Sequence, residues 1–317
     1  MSRYRKFRLR IPRPTAITRG VYKLFRPFLV EIASLLAPER ILRNPYVSAK
    51  TLHPLQGTEG YYILPNGLPS PCPSPAGSLP VPPPELWEGY GQTEEEYLAL
   101  GRQHMGSMIQ IVVDAGDAPE TFNRVLDFGC AAGRMLRFYP WRGQSAELWG
   151  LDIKAHHISW CQQHLGSPFL FATTTTFPHL PFPDNYFDLV YCGSVFTHIM
   201  DLPDAWFLEL RRVTREDGYL YITITDKHSL DVRFKHADKD KASDWFLEMI
   251  RRFDQQTSVL SQNYGCFAFE GGSWGGYPVP QVFYDVDYLA NKWSRLAKLR
   301  SVTPEAYGLQ TALLFQK

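Results

Sequence analysis

From Arg124 onward, short apolar runs alternate with stretches that are apolar on one side only. "RVLDFG" (124–129) reads as a buried strand and "AAGRMLRFYPW" (131–141) as the start of a helix. "ELWGLDI" (147–153) reads as a strand, and "KAHHISWCQQHLG" (154–166) as a helix closed by Gly166. Strands at "PFLFAT" (168–173) and "FDLVYCG" (187–193) follow, then a helix over "DLPDAWFLELRRVTRE" (201–216) and a strand at "GYLYITIT" (218–225). The last runs, "KLRSVTPE" (298–305) and "LQTALLFQK" (309–317), read as two strands joined by a short turn. Ahead of this series, "TEEEYLALGRQHMGSMIQIVVDAG" (93–116) has helical spacing, with Thr93 as N-cap and Glu96 three residues on. Strands alternating with helices predict an α/β fold: a doubly wound, mostly parallel sheet.

The pattern divides the chain into three parts. Residues 1–45 form a basic, amphipathic extension in which Val21, Leu24, Phe25, Phe28, Leu29, Ile32, Leu35 and Leu36 share one helical face, interrupted or bent at Pro27. Residues 46–90 read as a linker or surface strap, because "LPNGLPSPCPSPAGSLPVPPP" (64–84) holds too much proline for a helix or an interior strand. Residues 91–317 form the main domain. Within it, residues 226–280 break the strand–helix rhythm and read as a lid-like insertion.

Charge changes the picture only at the start. The formal net charge is +1, so the whole chain has no strong electrostatic preference for nucleic acid, yet nine Arg and Lys residues precede the first acidic residue, Glu31. Three uses of residues 1–40 stay open: packing on the domain, contact with a subunit partner, and peripheral contact with a membrane surface. An organelle transit segment is a further reading of the same acid-free start. No apolar run approaches the roughly 20 residues that span a bilayer, and Lys23, Arg26 and Glu31 interrupt the best candidate for a secretory signal. The five cysteines are odd in number, scattered and without C-x-x-C spacing, which argues against both a zinc site and a disulfide framework. A cytoplasmic protein, touching a membrane at most peripherally, is the expectation.

In open α/β sheets, ligands bind beyond the carboxyl ends of the strands. The turn "DFGCAAG" (127–133) lies there, and Gly129 and Gly133 permit a tight turn and close approach of a ligand to the backbone. Asp127 ends the first strand, able to accept hydrogen bonds or balance a cation. Asp152 ends the next strand, at a distance suited to ribose hydroxyls or to capping the following helix. The spacing is G-x-x-x-G rather than G-x-G-x-x-G, which makes a dinucleotide the weaker fit.

Taken in order, "VLDFGCAAGR", "LWGLDI", "LPFPDNYFDLVYCGSVFTHI" and "WFLELRRVTREDGYLYITIT" resemble the Rossmann-like (class I) S-adenosylmethionine-dependent methyltransferases. More narrowly, "LPFPDNYFDLVYCG" and "SVFTHI" resemble bacterial members that modify small molecules and sugars. The resemblance implies a seven-stranded sheet with an antiparallel last strand, S-adenosylmethionine as cofactor and S-adenosylhomocysteine as product. It implies that the backbone of Phe128, Gly129, Cys130, Ala131 and Gly133 lines the amino-acid part of the cofactor. Asp127 would hold the ammonium group, Asp152 the ribose diol, and Ile153 the adenine face. Cys192, Gly193 and Ser194 would border the methionine portion. Two departures are visible. Ala131 stands where members often have glycine, and no acid follows the third strand, so Thr174, within the Thr173–Thr176 run, is the candidate near the adenine amine.

The sulfonium is an activated methyl donor, so the protein's task is alignment and exclusion of water. A hydroxyl acceptor also needs a base, for which His198, Asp226 and His228 are positioned. His198 has a structural alternative, and Asp226 a capping one. His156, His157 and His164 share one predicted helix and read as a solvated face; no metal is assigned. The aromatic, glycine-rich "QNYGCFAFEGGSWGGYPVPQVFY" (262–284) offers Tyr264, Phe267, Trp274 and Tyr277 as walls of an acceptor site. The expectation is O-methylation of a small-molecule or sugar-containing acceptor, as in natural-product or glycan modification. RNA or DNA methylation and a non-catalytic adaptor anchored by the basic N-terminus are the rivals. The fourth strand is followed by "YCGSVFTH", without an N-P-P-Y-like tetrapeptide, which disfavours nucleic acid.

Overall fold

The computed structural model describes residues 51–54, 61–64, 79–142, 146–199, 202–236, 266–274 and 277–317. The basic N-terminal extension and Tyr264 lie outside them. The sheet has nine strands in the order β1 (Thr51–Pro54), β2 (Tyr61–Leu64), β5 (Phe169–Thr173), β4 (Glu147–Asp152), β3 (Arg124–Phe128), β6 (Phe187–Cys192), β7 (Thr214–Ile224), β11 (Gln310–Gln316), β10 (Lys298–Tyr307). Pairs among β3–β7 are parallel. The last strand, β11, runs antiparallel between β7 and β10. The expected seven strands are therefore β3–β7, β10 and β11. β1 and β2 fall inside the stretch read as linker, pair antiparallel with each other, and join β5 at Ile63–Thr173.

Strand periodicity sorts the core onto two faces. Leu126, Val190, Cys192 and Leu220 face α3 (Pro203–Val213) and α5 (Val286–Trp293), whose Phe207, Leu210 and Trp293 are fully buried. Trp293 stacks on Phe207 with ring centroids 4.3 Å apart and donates its indole N–H to Asp204. Val125, Leu189, Tyr191 and Tyr221 face α1 (Glu94–Asp114) and α2 (Ala155–His164). The start of α1 is capped as its sequence predicts: Thr93 accepts from the Glu96 N–H at 3.2 Å, while the Glu96 carboxylate reaches back to the Gln92 N–H at 2.7 Å.

Three local expectations change. "AAGRMLRFYPW" does not make an α-helix: a run of turns ends in one 3₁₀ turn, Leu136–Phe138, and Tyr139 is extended. Pro140 explains the stop, since it disfavours helical geometry at the residue before it. The helix over 201–216 yields to β7 at Thr214, a β-branched residue whose hydroxyl donates to the Leu210 carbonyl. The insertion holds α4 (Lys227–His236) and a hairpin of β8 (Cys266–Trp274) and β9 (Tyr277–Tyr284). β9 is anchored at the carboxyl end of β7 by a bridge from Phe283 to Thr225 and by the Tyr284 N–H on the Thr225 carbonyl.

The chain leaves β3 outward through β4 and β5, then returns to the other side of β3 with β6. The carboxyl ends of β3 and β6 therefore flank the crevice where such sheets bind ligands. No helix among the described residues is long and apolar enough to cross a membrane.

Candidate cofactor site

The loop after β3 has left-handed backbone at Gly129 (φ 83°), Ala131 (φ 46°) and Gly133 (φ 73°). Ala131 holds a conformation that costs an L-residue about 1 kcal/mol or more; two acceptors nearby offset this. The Leu151 carbonyl takes the Gly129 and Cys130 N–H groups at 2.7 and 3.0 Å. The Asp152 carboxylate takes the Ala131 N–H at 2.8 Å and, through its other oxygen, the Lys154 N–H at 2.8 Å. Asp152 thus ties the glycine loop to Lys154, the residue that precedes α2. It is buried, and burial raises its pKa against the lowering effect of those two N–H donors. Each carboxylate oxygen keeps a lone pair for a further donor.

A Cβ on Gly129 would lie 2.2 Å from Val195 Cγ2, on the segment leaving β6. Only a bare backbone fits between these two strand ends. Gly129→Ala is expected to cost about 2–4 kcal/mol of stability through overpacking and the positive φ, read as a fall in the urea midpoint with an unchanged slope. An unchanged midpoint would show that the loop has room to spare.

Asp127 ends β3 on the α1/α2 face, 3% exposed, and accepts the Tyr191 hydroxyl at 2.9 Å. Burial pushes its pKa up to about 7; the Tyr191 hydrogen bond and the Arg134 charge oppose the rise, and Asp152 adds to it. Ile153, beside Asp152, is apolar and 52% exposed, a surface suited to a flat base. Thr174 is buried and donates its N–H to the Asp152 carbonyl at 2.9 Å, so it stands at the same strand edge. The side chains of Phe128, Cys130 and Cys192 point into the core, and Phe128 packs on Trp206 with centroids 4.8 Å apart. Only the main chain of these three borders the loop. Gly193 is required by packing, because a Cβ there would meet the Tyr307 ring at 2.8 Å. Ser194 has φ 62°; its N–H bonds Thr223 Oγ1 and its hydroxyl receives Gln310 Nε2 at 2.8 Å.

The base candidates separate. Asp226 accepts the Ser229 N–H and hydroxyl with one oxygen and the Thr311 hydroxyl with the other. That is a helix cap satisfied by three donors, so a role as base does not fit it. His228 Nε2 lies 2.8 Å from Glu305 Oε1, on the hairpin that carries Tyr307. His198 is exposed on the 3₁₀ turn Phe196–His198, which Tyr284 holds by donating to the Phe196 and Ile199 carbonyls. Phe267 and Trp274 fall on β8, and Tyr277 on β9.

Several residues at this sheet end escaped the sequence reading. Glu88, with φ 56°, places one carboxylate oxygen 2.6 Å from Lys154 Nζ and the other 2.7 Å from His157 Nε2. His157 is therefore buried against an acid instead of lying on a solvated face. Tyr90 lies over the Arg134 guanidinium at 3.8 Å. The only available signal was "WEGYGQT" (87–93), where two glycines flank Tyr90 beside the proline run. Among the described residues, no group of three His, Cys, Asp or Glu side chains has metal-binding geometry.

Residues 126–222 match the family model of a methyltransferase domain. An uncharacterized methyltransferase of Schizosaccharomyces pombe (strain 972 / ATCC 24843) is 30% identical over 136 residues, which cover 37% of this chain and 45% of that relative. The chain thus matches less than half of that relative's length. Among solved structures, a protein from Pyrococcus horikoshii OT3 covers 72% of this chain and 94% of its own at 17% identity, with a TM-score of 0.48. A S-adenosylmethionine-dependent methyltransferase from Methanosarcina mazei covers 65% and 96% at 17% identity, TM-score 0.44. Magnesium protoporphyrin IX methyltransferase from Synechocystis PCC 6803, solved with bound S-adenosylhomocysteine, covers 73% and 91% at 17% identity, TM-score 0.43. The sheet order, the glycine loop and the acids after β3 and β4 define a Rossmann-like, S-adenosylmethionine-dependent methyltransferase fold. The chain carries a methyltransferase domain over residues 126–222.

Proposed function

We propose that the chain transfers a methyl group from S-adenosylmethionine to a hydroxyl oxygen of a small-molecule or sugar-containing acceptor. The site's residues suit the cofactor: Gly129 leaves bare backbone at the crevice, Asp152 has lone pairs for ribose hydroxyls, and Ile153 offers an apolar face. When bound, the cofactor supplies an electrophilic methyl group and a neutral thioether leaving group. The chain's own residues would then align the acceptor, exclude water and take the hydroxyl proton.

The observation that carries the oxygen reading is the His228–Glu305 contact. A carboxylate against one ring nitrogen fixes the tautomer and leaves the other nitrogen to accept a proton, the arrangement of a general base. His228 follows the end of β7, and Glu305 precedes by two residues Tyr307, whose ring covers Gly193 at the end of β6. The pair and the glycine loop therefore share one end of the sheet. The β8/β9 hairpin meets that end at Thr225, a suitable place for acceptor-binding walls.

The test is transfer of labelled methyl to panels of hydroxylated small molecules, sugars and RNA. His228→Ala should lower kcat about 100-fold or more on a hydroxyl acceptor while leaving S-adenosylhomocysteine affinity unchanged. Full activity in that variant would remove the base assignment. Label entering RNA alone would replace the acceptor class, and label entering nothing despite cofactor binding would favour an adaptor.

A further inference from the structure

Ser194 stands just beyond β6 with left-handed backbone, φ 62°, a conformation that costs an L-residue about 1 kcal/mol or more. A closed ring of hydrogen bonds holds it there. Its N–H donates to Thr223 Oγ1 at 2.7 Å, and the Thr223 hydroxyl donates to Gln310 Oε1 at 2.7 Å. Gln310 Nε2 then donates back to Ser194 Oγ at 2.8 Å. The ring ties the ends of β6 and β7 to the first residue of β11. Thr223 is fully buried, whereas Ser194 and Gln310 are partly exposed, so the ring opens outward at the carboxyl end of β6.

The proton inventory fixes what the ring presents. Thr223 Oγ1 accepts an N–H, so its own proton goes to Gln310, which sets the amide oxygen on Thr223 and the amide nitrogen on Ser194. Thr197 donates to the Ser194 carbonyl at 2.9 Å, so the 3.2 Å contact between the two hydroxyls uses the Ser194 proton. Among the described residues this leaves one N–H on Gln310 Nε2 and one lone pair on Ser194 Oγ, side by side. A hydroxyl completes both at once, accepting the N–H and donating to Oγ. An ether or ketone satisfies only the first, and an ammonium only the second. The ring has already fixed both side chains, so little ordering is left to do on binding. Position links this pair to the acceptor. Ser194 borders the crevice, and Gln310 pairs with Tyr307 on the β10–β11 hairpin, whose Glu305 holds His228.

We propose that Gln310 and Ser194 read a second hydroxyl of the acceptor, beside the one that gives its proton to His228, so that the acceptor is a diol of sugar or catechol type. Thr223 and Thr197 act as positioning residues. This rests on the hydroxyl-acceptor reading of the site.

Transfer of labelled methyl by the full chain tests it, as kcat/KM on probes that differ by one hydroxyl: catechol against phenol, and methyl α-glucoside against its deoxy forms. Wild type should favour the diol in at least one series by about 10- to 100-fold, because the deoxy probe leaves the donor and acceptor unfilled. In Gln310→Met the Thr223 hydroxyl still reaches the Cys192 carbonyl, and the diol preference should shrink to within about threefold of none. A ring that only holds Ser194 in place would lower activity on both members of a pair and keep their ratio, which overturns the proposal. Wild type that methylates the deoxy probe as well as the diol overturns it without any variant and leaves oxygen methylation standing. Label entering none of these probes, nor any hydroxylated compound of the wider panel, removes the hydroxyl-acceptor reading and the proposal with it.

Discussion

Asp152→Ala is expected to weaken S-adenosylhomocysteine binding at least about 100-fold, because hydrogen bonds to a charged acceptor are worth about 1.5–3 kcal/mol each and two ribose hydroxyls lose theirs. The effect exceeds those lost contacts. The same carboxylate holds the Ala131 and Lys154 N–H groups, so its removal frees the loop from the start of α2. Ala131 then keeps its left-handed strain without the hydrogen bond that offsets it. Asp152→Asn separates the two contributions: its amide oxygen can still take one N–H, so the loop should loosen less while ribose binding stays weak. Calorimetry for affinity and thermal unfolding for the loop read both effects. Unchanged affinity in Asp152→Ala would remove this residue from the cofactor site.

Cofactor affinity should fall about tenfold between pH 8 and pH 6 in wild type, and Asp127→Asn should abolish that dependence. Burial holds the Asp127 carboxyl up at about 7 in the free protein. A ligand ammonium favours the ionised form and lowers that value, so binding releases a proton as pH drops below about 7. The stability consequence has the opposite sign. The unfolded carboxyl ionises near the ordinary aspartate value of about 3.9, whereas the folded one holds its proton to about 7. Its favourable contribution is complete below about pH 4 and is lost as pH rises through about 7. Asp127→Asn should therefore raise the melting temperature at pH 8 while weakening cofactor binding there. Affinity that stays flat from pH 6 to 8 in wild type would mean the carboxylate does not meet the ammonium.

Much of this was legible because it is local. The runs at β3, β4, β6 and β7 are buried on both faces and read as strands without tertiary context. Gly129, Gly133 and Asp152 carry their meaning in their place relative to those strands. Thr93 and Glu96 specify a cap within four residues. The rest depends on distant partners. Arg134 meets Tyr307 across 173 positions, and Tyr307 meets Tyr90 across 217. His157 has the spacing of a surface residue until Glu88 arrives from the proline-rich side. β1 and β2, four residues each, lack a periodic signal strong enough to outweigh the prolines that follow. The short turn at Leu136–Phe138 was in principle readable from Pro140, but the apolar spacing of Met135, Leu136 and Phe138 pointed towards a helix.

Calorimetric titration of S-adenosylhomocysteine into the wild-type chain at pH 8 tests the cofactor site most directly. One saturable site of micromolar or tighter affinity is expected. A cooperatively folded protein that gives no binding heat by titration, and no thermal stabilisation by the same ligand, would contradict it.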